Sequence, residues 1–225
     1  MNMKRILGIA TVLILGLGTA GSAGAVNLVL NGDFETLDDR TGDRGYRLND
    51  LAPNRWDVYD SLPGGWMTGS GAGIEIQHNT VVPAHSPQHY VELDSHSWDG
   101  GPSNSSMFQW IHLDNPGTYE LSFFYRARTN NQDDNGIDVL FDNLLVAEVD
   151  GFKYEYTDWE QYIVTLDVAQ AGDYQLMFSA MGMDNTLGGF LDDISLTSVP
   201  EPASIFLLGS GILGLAALAR RRDGK

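Results

Sequence analysis

The 225-residue chain contains no cysteine. This absence excludes disulfide bonds, zinc–thiolate sites and cysteine nucleophiles. A folded domain in this chain must therefore be held by its hydrophobic core, with or without the help of a metal ion.

Basic residues are also scarce. The chain has 13 Lys and Arg against 30 Asp and Glu, a formal net charge of −17 at pH 7. Residues 26–198 hold 28 of the acidic and 7 of the basic side chains, which leaves this segment at −21. Such an acidic surface repels nucleic acids and anionic lipids and attracts divalent cations. We therefore expect no nucleic-acid partner.

Catalytic motifs are missing as well. Residues 26–198 contain no Gly-x-Ser-x-Gly elbow, Walker loop or dinucleotide fingerprint. The many carboxylates prove nothing about glycoside hydrolysis, because some pair will lie at the required distance by chance. We expect a protein that is not an enzyme, and a hydrolase is the less favoured alternative.

The first 25 residues have the three parts of a secretory signal peptide. Lys4 and Arg5 form the charged start, the run from Ile6 to Leu17 is apolar, and Ala23-Gly24-Ala25 is a small-residue cleavage site. We predict a signal helix here and a mature chain that begins at Val26.

A second apolar run lies near the C-terminus. No charge interrupts it from Ala203 to Ala219, and Arg220, Arg221 and Arg222 follow. Arginines at one end of such a run favour the cytoplasmic side of a membrane. The helical length of about 25 Å is slightly short for a ~30 Å hydrocarbon core. We predict a transmembrane helix that anchors the chain at least transiently.

Val199-Pro200-Glu201-Pro202 stands directly before this run. The motif, the apolar helix and the basic end, in this order, resemble the PEP-CTERM sorting signal of exported bacterial proteins over residues 199–225. The resemblance implies a Gram-negative bacterium that makes exopolysaccharide, and an exosortase that recognises Pro200, Glu201 and Pro202. An ordinary single-pass anchor is the alternative.

Between the two ends, residues 26–198 read as short strands separated by Gly, Asn, Asp and Pro. This spacing favours an all-β domain, a two-layer antiparallel β-sandwich. Residues 36–63 show little alternation and are predicted as a surface excursion. The candidate strands are residues 27–30, 65–68, 74–77, 89–93, 106–111, 118–127, 137–149, 159–168, 174–180 and 190–197.

Three segments of this domain are similar to the galactose-binding-like jelly rolls of carbohydrate-binding modules. They are Asn27-Leu28-Val29-Leu30-Asn31-Gly32-Asp33-Phe34-Glu35, then Gly65-Trp66, and finally Gly189-Phe190-Leu191-Asp192-Asp193-Ile194-Ser195-Leu196. The resemblance implies a jelly roll whose first segment lies close to its last strand, and a structural calcium ion between them.

The last predicted strand contains an anomaly. If Phe190, Ile194 and Leu196 face the core at a period of two, Asp192 faces it with them, and a buried carboxylate needs a partner. A calcium ion bound by Glu35 and Asp192, with Asp33 or Asp193 as helpers, would supply one. The alternative is an Asp192 that accepts hydrogen bonds from backbone amides or pairs with an arginine.

Two tryptophans are candidates for stacking on sugar rings. Trp98 and Trp56 are predicted to lie in loops, where core packing does not obviously claim them. Packing of Trp98 under its own loop is the alternative. Trp66, Trp110 and Trp159 lie in or beside predicted strands and are expected in the core.

The sorting signal and the resemblance to carbohydrate-binding jelly rolls together imply an exported, surface-displayed protein that binds a polysaccharide or cell-surface glycan and catalyses nothing. A structural matrix protein without a defined sugar, acting through its acidic surface and bound calcium, is the alternative from another class.

Overall fold

The computed structural model describes residues 26–98, 100–149 and 158–200. The predicted signal helix, the predicted transmembrane run, Glu201 and Pro202 lie outside these residues. Within the described ranges, no helix is long and apolar enough to cross a membrane.

Two antiparallel sheets of six strands each form the described domain. Sheet I contains, in spatial order, β1 (Arg55–Tyr59), β4 (Ile74–His78), β5 (His89–Glu92), β12 (Phe190–Ser198), β7 (Gly117–Arg126) and β10 (Glu160–Val168). Sheet II contains β2 (Ser61–Leu62), β3 (Trp66–Ser70), β6 (Ser106–Leu113), β11 (Gly172–Met181), β8 (Gly136–Phe141) and β9 (Leu144–Val149). Short 3-10 turns occupy Leu48–Asp50 and Gln132–Asp134. The predicted all-β, two-layer sandwich is confirmed.

The core lies between the sheets and is filled by side chains at alternate positions. Leu121 and Phe123 of β7 and Leu176 and Phe178 of β11 are all fully buried. The rings of Phe123 and Phe178 meet edge to face, with centroids 5.3 Å apart. Because β7 belongs to sheet I and β11 to sheet II, these two similar segments pack against each other across the core.

The segment 137–149, predicted as one strand, is a hairpin of β8 and β9. Its turn residues Asp142 and Asn143 have φ values of 51° and 64°. Two successive residues with positive φ are typical of the tight turns that match the twist of paired strands. Asp and Asn adopt positive φ values more readily than most residues.

The predicted surface excursion, residues 36–63, is also wrong in part. It contains β1, β2 and a 3-10 turn, so Trp56 lies in a strand and not in a loop. Alternation was hard to see there because β1 is short and β2 has only two residues.

The first segment of the domain is not a regular strand, although residues 27–30 were predicted as one. It nevertheless lies along β12: the Leu28 amide donates to the Leu196 carbonyl at 2.8 Å, and the Ile194 amide donates to the Gly32 carbonyl at 2.9 Å. A Cβ atom at residue 32 would lie 2.0 Å from the Ile194 carbonyl oxygen, so this approach requires glycine. The expected closeness of the first segment and the last strand is confirmed.

A bulge in β12 changes which side chains face the core. The pairing with β7 shifts between Asp192 and Ser195, and Asp193 has a φ of 48°. Leu191, Ile194 and Leu196 consequently join the core cluster. The prediction that Asp192 faces the core with Ile194 and Leu196 is therefore wrong, although Asp192 is fully buried. It lies beside Phe190 on the outer face of sheet I.

The packing of the two similar segments gives a first testable prediction. Phe178→Ala should lower the free energy of unfolding by about 3–5 kcal/mol, because it opens a cavity in a closed core. Denaturation by urea measures this change. Ile163→Ala on the exposed side of β10 is the control and should change stability by less than about 0.5 kcal/mol. Equal effects of the two substitutions would contradict the described core.

Candidate functional site

The two tryptophans selected from the sequence lie together. Trp56 stands opposite Gln77 on the outer face of sheet I, and Trp98 lies in the loop that follows β5. Their rings are stacked with centroids 6.2 Å apart and an interplanar angle of 17°. His96 meets Trp98 edge to face at 4.2 Å and lies 5.6 Å from Trp56. The fold thus brings together two tryptophans that were predicted separately. With His96 they form one aromatic cluster of Trp56, His96 and Trp98.

A cation lies over this cluster. The guanidinium carbon of Arg44 is 4.4 Å from the Trp56 ring centroid and 6.0 Å from that of Trp98. Arg44 also donates from Nη1 to the Trp56 carbonyl oxygen at 3.3 Å. A cation over an aromatic face contributes about 0.5–2 kcal/mol, depending on its exposure. Within the described part of the chain, no carboxylate forms an ion pair with Arg44.

A buried carboxylate holds the segment that carries Arg44. Asp57 of β1 accepts the backbone amides of Arg44 at 2.8 Å and of Tyr46 at 3.0 Å. Asp57 itself is fully buried. Hydrogen bonds to an ionised acceptor are stronger than neutral ones, so this carboxylate fixes the loop against the strand.

An open cavity of about 540 Å³ adjoins the cluster on the Trp98 side. The Trp98 side chain is 55% exposed. The cavity is therefore accessible from solvent and has an aromatic face at one wall. Its lining residues are Asp43, Gly71, Ala72, Ser97, Trp98, Gly101 and Pro102.

A buried pair of glutamates, which no sequence motif indicates, lies beneath the cluster and supports it. Glu75 and Glu92 lie opposite each other on β4 and β5, and both are buried. Gln77 donates from Nε2 to Glu75 at 3.0 Å and to Glu92 at 2.5 Å, and Arg128 forms an ion pair with Glu92. The remaining oxygen of Glu75 accepts the backbone amide of His96 at 3.0 Å. Glu75 therefore positions the loop that carries His96 and Trp98.

Burial changes the proton affinity of this pair. It raises the pKa of Glu75 to about 7 and the pKa of Glu92 well above its usual value. The neighbouring Glu75 carboxyl group raises the pKa of Glu92 further. Residues 74–77 were predicted as a strand, in which Glu75 and Gln77 alternate with the two isoleucines and share the polar side. Loops cover that side, and no local sequence signal reveals such a cover.

The predicted metal ligands Glu35 and Asp192 both contact one serine. Ser86 Oγ lies 2.8 Å from Asp192 Oδ1 and 3.4 Å from Glu35 Oε1. Asp192 also accepts the backbone amides of His85 at 2.9 Å and Ser86 at 2.8 Å. Glu35 accepts the amides of Gln88 and His89 and the His89 Nδ1 group.

The other two predicted ligands point elsewhere. The Asp33 carboxylate accepts its own turn amide at Glu35, and Asp193 bonds His85 Nδ1 at 2.5 Å. In residues 26–98, 100–149 and 158–200, no three acidic or histidine side chains are placed to hold a metal ion. Backbone donors already satisfy Glu35 and Asp192, which is the arrangement named above as the alternative to calcium. The present side-chain positions do not fit the ion, and calcium stays a prediction.

The tryptophans predicted for the core differ from one another. Trp66 is fully buried, as expected, and its indole donates to the Asn31 carbonyl at 3.2 Å. Trp159 is half-buried beside Tyr90. Trp110 is 58% exposed on the outer face of sheet II, so its assignment to the core is wrong. Trp110 was correctly placed in a strand, but its place in the strand did not show which face of the sheet it occupies.

The described chain ends at Pro200, at the start of the predicted sorting segment. Residues 198–222 match the PEP-CTERM protein-sorting motif. The motif marks the chain as an exported bacterial protein. Of the predicted motif residues, only Pro200 lies within the described ranges.

Similar curated proteins are far longer than this chain. The multifunctional-autoprocessing repeats-in-toxin proteins of Vibrio vulnificus and Vibrio cholerae are 26% and 27% identical to it. Each match covers 79% of this chain and 3% of the toxin. The chain therefore spans only a small part of the relatives that it matches.

Similar solved structures include an adhesin domain and carbohydrate-binding modules. The K1 cleaved adhesin domain of Lys-gingipain from Porphyromonas gingivalis has a TM-score of 0.48 at 14% identity, over 65% of this chain and 98% of that one. A family 35 carbohydrate-binding module from Clostridium thermocellum has a TM-score of 0.38 at 15% identity, and the match covers 64% of this chain and 92% of the module. The CBM22-1 xylan-binding domain of Paenibacillus barcinonensis Xyn10C has a TM-score of 0.41 at 11% identity, and the match covers 73% of this chain and 100% of that domain. Such distant likenesses say nothing about the ligand of this chain.

The environment of Asp192 gives a second testable prediction. Burial raises the pKa of Asp192 to about 7, against 3.8 in the unfolded chain. The folded state therefore holds this proton more tightly between about pH 4 and pH 7, and the contribution of Asp192 to stability should rise as the pH falls from 8 to 5. Asp192→Asn should make this slope shallower by up to about 1.4 kcal/mol per pH unit.

Urea denaturation of both proteins from pH 5 to pH 8, with and without calcium, measures the effect. Glu75 and Glu92 should preserve part of the slope in the variant, because their pKa values are raised as well. A calcium-dependent rise in the stability of the natural protein that disappears in Asp192→Asn would contradict the hydrogen-bonded arrangement and support the ion.

Proposed function

We propose that this chain is an exported surface protein whose β-sandwich binds carbohydrate at the aromatic cluster and does not catalyse a reaction. The observation that carries the proposal is the stacked pair of Trp56 and Trp98 beside an open cavity of about 540 Å³. The sorting motif supports the location, and the aromatic cluster supports the ligand class.

The chemistry of the site suits a sugar ring. One face of a pyranose presents C–H groups, which pack well on an exposed indole, while its hydroxyl groups need polar neighbours at the edge. Trp98 offers such a face at the cavity wall, and Arg44 adds a donor group above the rings. The backbone at Gly71, Gly101 and Pro102 narrows the cavity without large side chains.

Preorganisation supports binding at this place. Asp57 fixes the Arg44 segment, and Glu75 fixes the His96 amide. A site whose loops are already ordered loses less conformational entropy when a ligand arrives. Ordering these loops costs conformational entropy during folding, and a ligand-binding role would account for that cost.

The buried glutamates support the absence of catalysis. Glu75 and Glu92 are the closely paired carboxyl groups beneath the site, but they are 4% and 0% exposed. A glycosidase needs its two carboxyl groups on either side of the scissile bond and in contact with substrate or water. Covered in this way, the pair supports the loops and cannot reach a bound sugar.

The remaining parts of the proposal concern location. We propose that an exosortase processes the chain at the Pro200 motif in a Gram-negative cell, after transient anchoring by residues 203–219. The ligand is then the producer's own exopolysaccharide or a neighbouring wall polymer. A matrix protein without a defined sugar is the second candidate, favoured by the net charge of −21 over residues 26–198.

Glycan-array binding of the natural chain and of Trp98→Ala tests the proposal. The natural chain should bind a defined set of glycans, and the variant should lose about tenfold or more in affinity because the stacking face is gone. Leu144→Ala, at a highly exposed position of sheet II, is the control and should bind normally.

Two results would overturn this account. Absence of any glycan binding by the natural chain, together with release from the cell surface by a chelator, would favour the matrix protein. Release of reducing sugar from a bound polysaccharide, lost in Glu75→Gln, would favour a hydrolase.

A further inference from the structure

The outer face of sheet II carries a row of apolar side chains that crosses five strands. Met67 of β3 stands opposite Phe108 of β6, which stands opposite Met177 of β11. Met177 in turn stands opposite Leu140 of β8, which stands opposite Leu145 of β9. We call these five residues the apolar row. Met67 is 50% and Leu145 55% exposed, and the three residues between them are half-buried.

Trp110 extends this row into an aromatic platform. It follows Phe108 by two positions in β6 and therefore projects from the same face, where it is 58% exposed. Gln175 of β11 stands directly opposite Trp110. One step further, His112 stands opposite Asp173, with Nδ1 and Oδ1 2.6 Å apart. An indole face with an amide and an ion pair along one side is a suitable surface for a sugar ring.

The dimensions of this surface argue for a thin, extended ligand. Four steps between neighbouring strands, at about 4.8 Å each, give a length of roughly 19 Å. Trp110 lies two positions from Phe108 along β6, so the platform is about 7 Å wide, on the order of 130 Å². A stable protein interface needs about 800 Å² from each partner, so a second copy of this chain is not favoured. The row reaches the edge strand β9, so a polymer can continue past it.

The charges around the apolar row restrict the class of ligand further. The apolar row contains no charged residue, and Asp138 and Asp173 lie on its two sides. Acidic flanks repel anionic membranes and polyanions. Extended peptides usually add to the edge of a sheet, where free backbone groups can pair with them, and not to its face. A neutral, extended polysaccharide satisfies all of these conditions.

We propose that a neutral polysaccharide chain lies across the outer face of sheet II, with one sugar ring stacked on Trp110 and its hydroxyl groups bonded to Gln175. This surface lies on the opposite side of the sandwich from the aromatic cluster of sheet I. It shares only its class of ligand with the proposed function. A chain with both sites connects two polysaccharide molecules.

Affinity electrophoresis of the full-length chain tests this site. The probes are gels that contain mannan, xylan or hydroxyethylcellulose, with alginate as the anionic comparison. The natural chain should be retarded by at least one neutral polysaccharide and not by alginate. Trp110→Ala should weaken that retardation about tenfold, and Gln175→Ala should weaken it to a smaller extent. Ile163→Ala, 57% exposed on sheet I, is the matched control and should migrate as the natural chain does.

The variants separate this inference from the proposed function. Weaker binding in Trp110→Ala with normal binding in Trp98→Ala supports the sheet II site and counts against the aromatic cluster. The reverse result overturns the sheet II site, as does a natural chain that none of the neutral gels retards. Because Trp110 is a surface residue, the variant should keep its melting temperature. A change of oligomeric state in Trp110→Ala would show that a second copy occupies the face and would also overturn the proposal.

Discussion

Buried carboxylates that accept backbone amides from the loops are the interaction on which this structure depends. Asp57 holds the amides of Arg44 and Tyr46, and Glu75 holds that of His96. The buried Asp192 and the half-buried Glu35 do the same for the loop between β4 and β5. An unpaired carboxylate in a protein interior costs several kcal/mol, so each of these groups requires its donors. In a chain without disulfides and with few cations, amide donors are the partners that remain.

This arrangement connects the composition of the chain to its candidate function. The aromatic cluster is assembled from β1 and from the loop after β5, and β2, β3, β4 and β5 lie between them in the sequence. Their relative position depends on hydrogen bonds to acids in the strands beneath them. The acidic residues therefore serve two roles. Those on the exterior set the charge of the surface, and those under the loops determine the shape of the binding site.

Much of the sandwich could be predicted from alternation alone. β7 and β11 are long, and their residues Leu121, Phe123, Leu176 and Phe178 repeat at a period of two, so strand and face were both clear. Bounds were less certain where a turn lies inside an apolar segment, as at Asp142 and Asn143. The bulge at Asp193 could not be foreseen, because its cause is the local pairing with β7 and not the residue pattern.

The candidate sites were predictable only in part, for a related reason. A period of two shows which residues share a face, but it does not show whether loops cover that face. Glu75 and Trp110 are the two clear cases: alternation does not show that Glu75 is buried under loops, and Trp110 was expected in the core and is exposed. The contact between Trp56 and Trp98 depends on the full arrangement of sheet I, which no local pattern contains.

Amide hydrogen exchange is the most direct test of the role given to the buried carboxylates. In the natural chain, the amides of Arg44, Tyr46, Ser86 and His96 should exchange slowly although they belong to loops. In Glu75→Ala, protection should be lost at His96 and retained at Arg44, Tyr46 and Ser86, which other carboxylates hold. Fast exchange at all four amides in the natural chain would contradict the account.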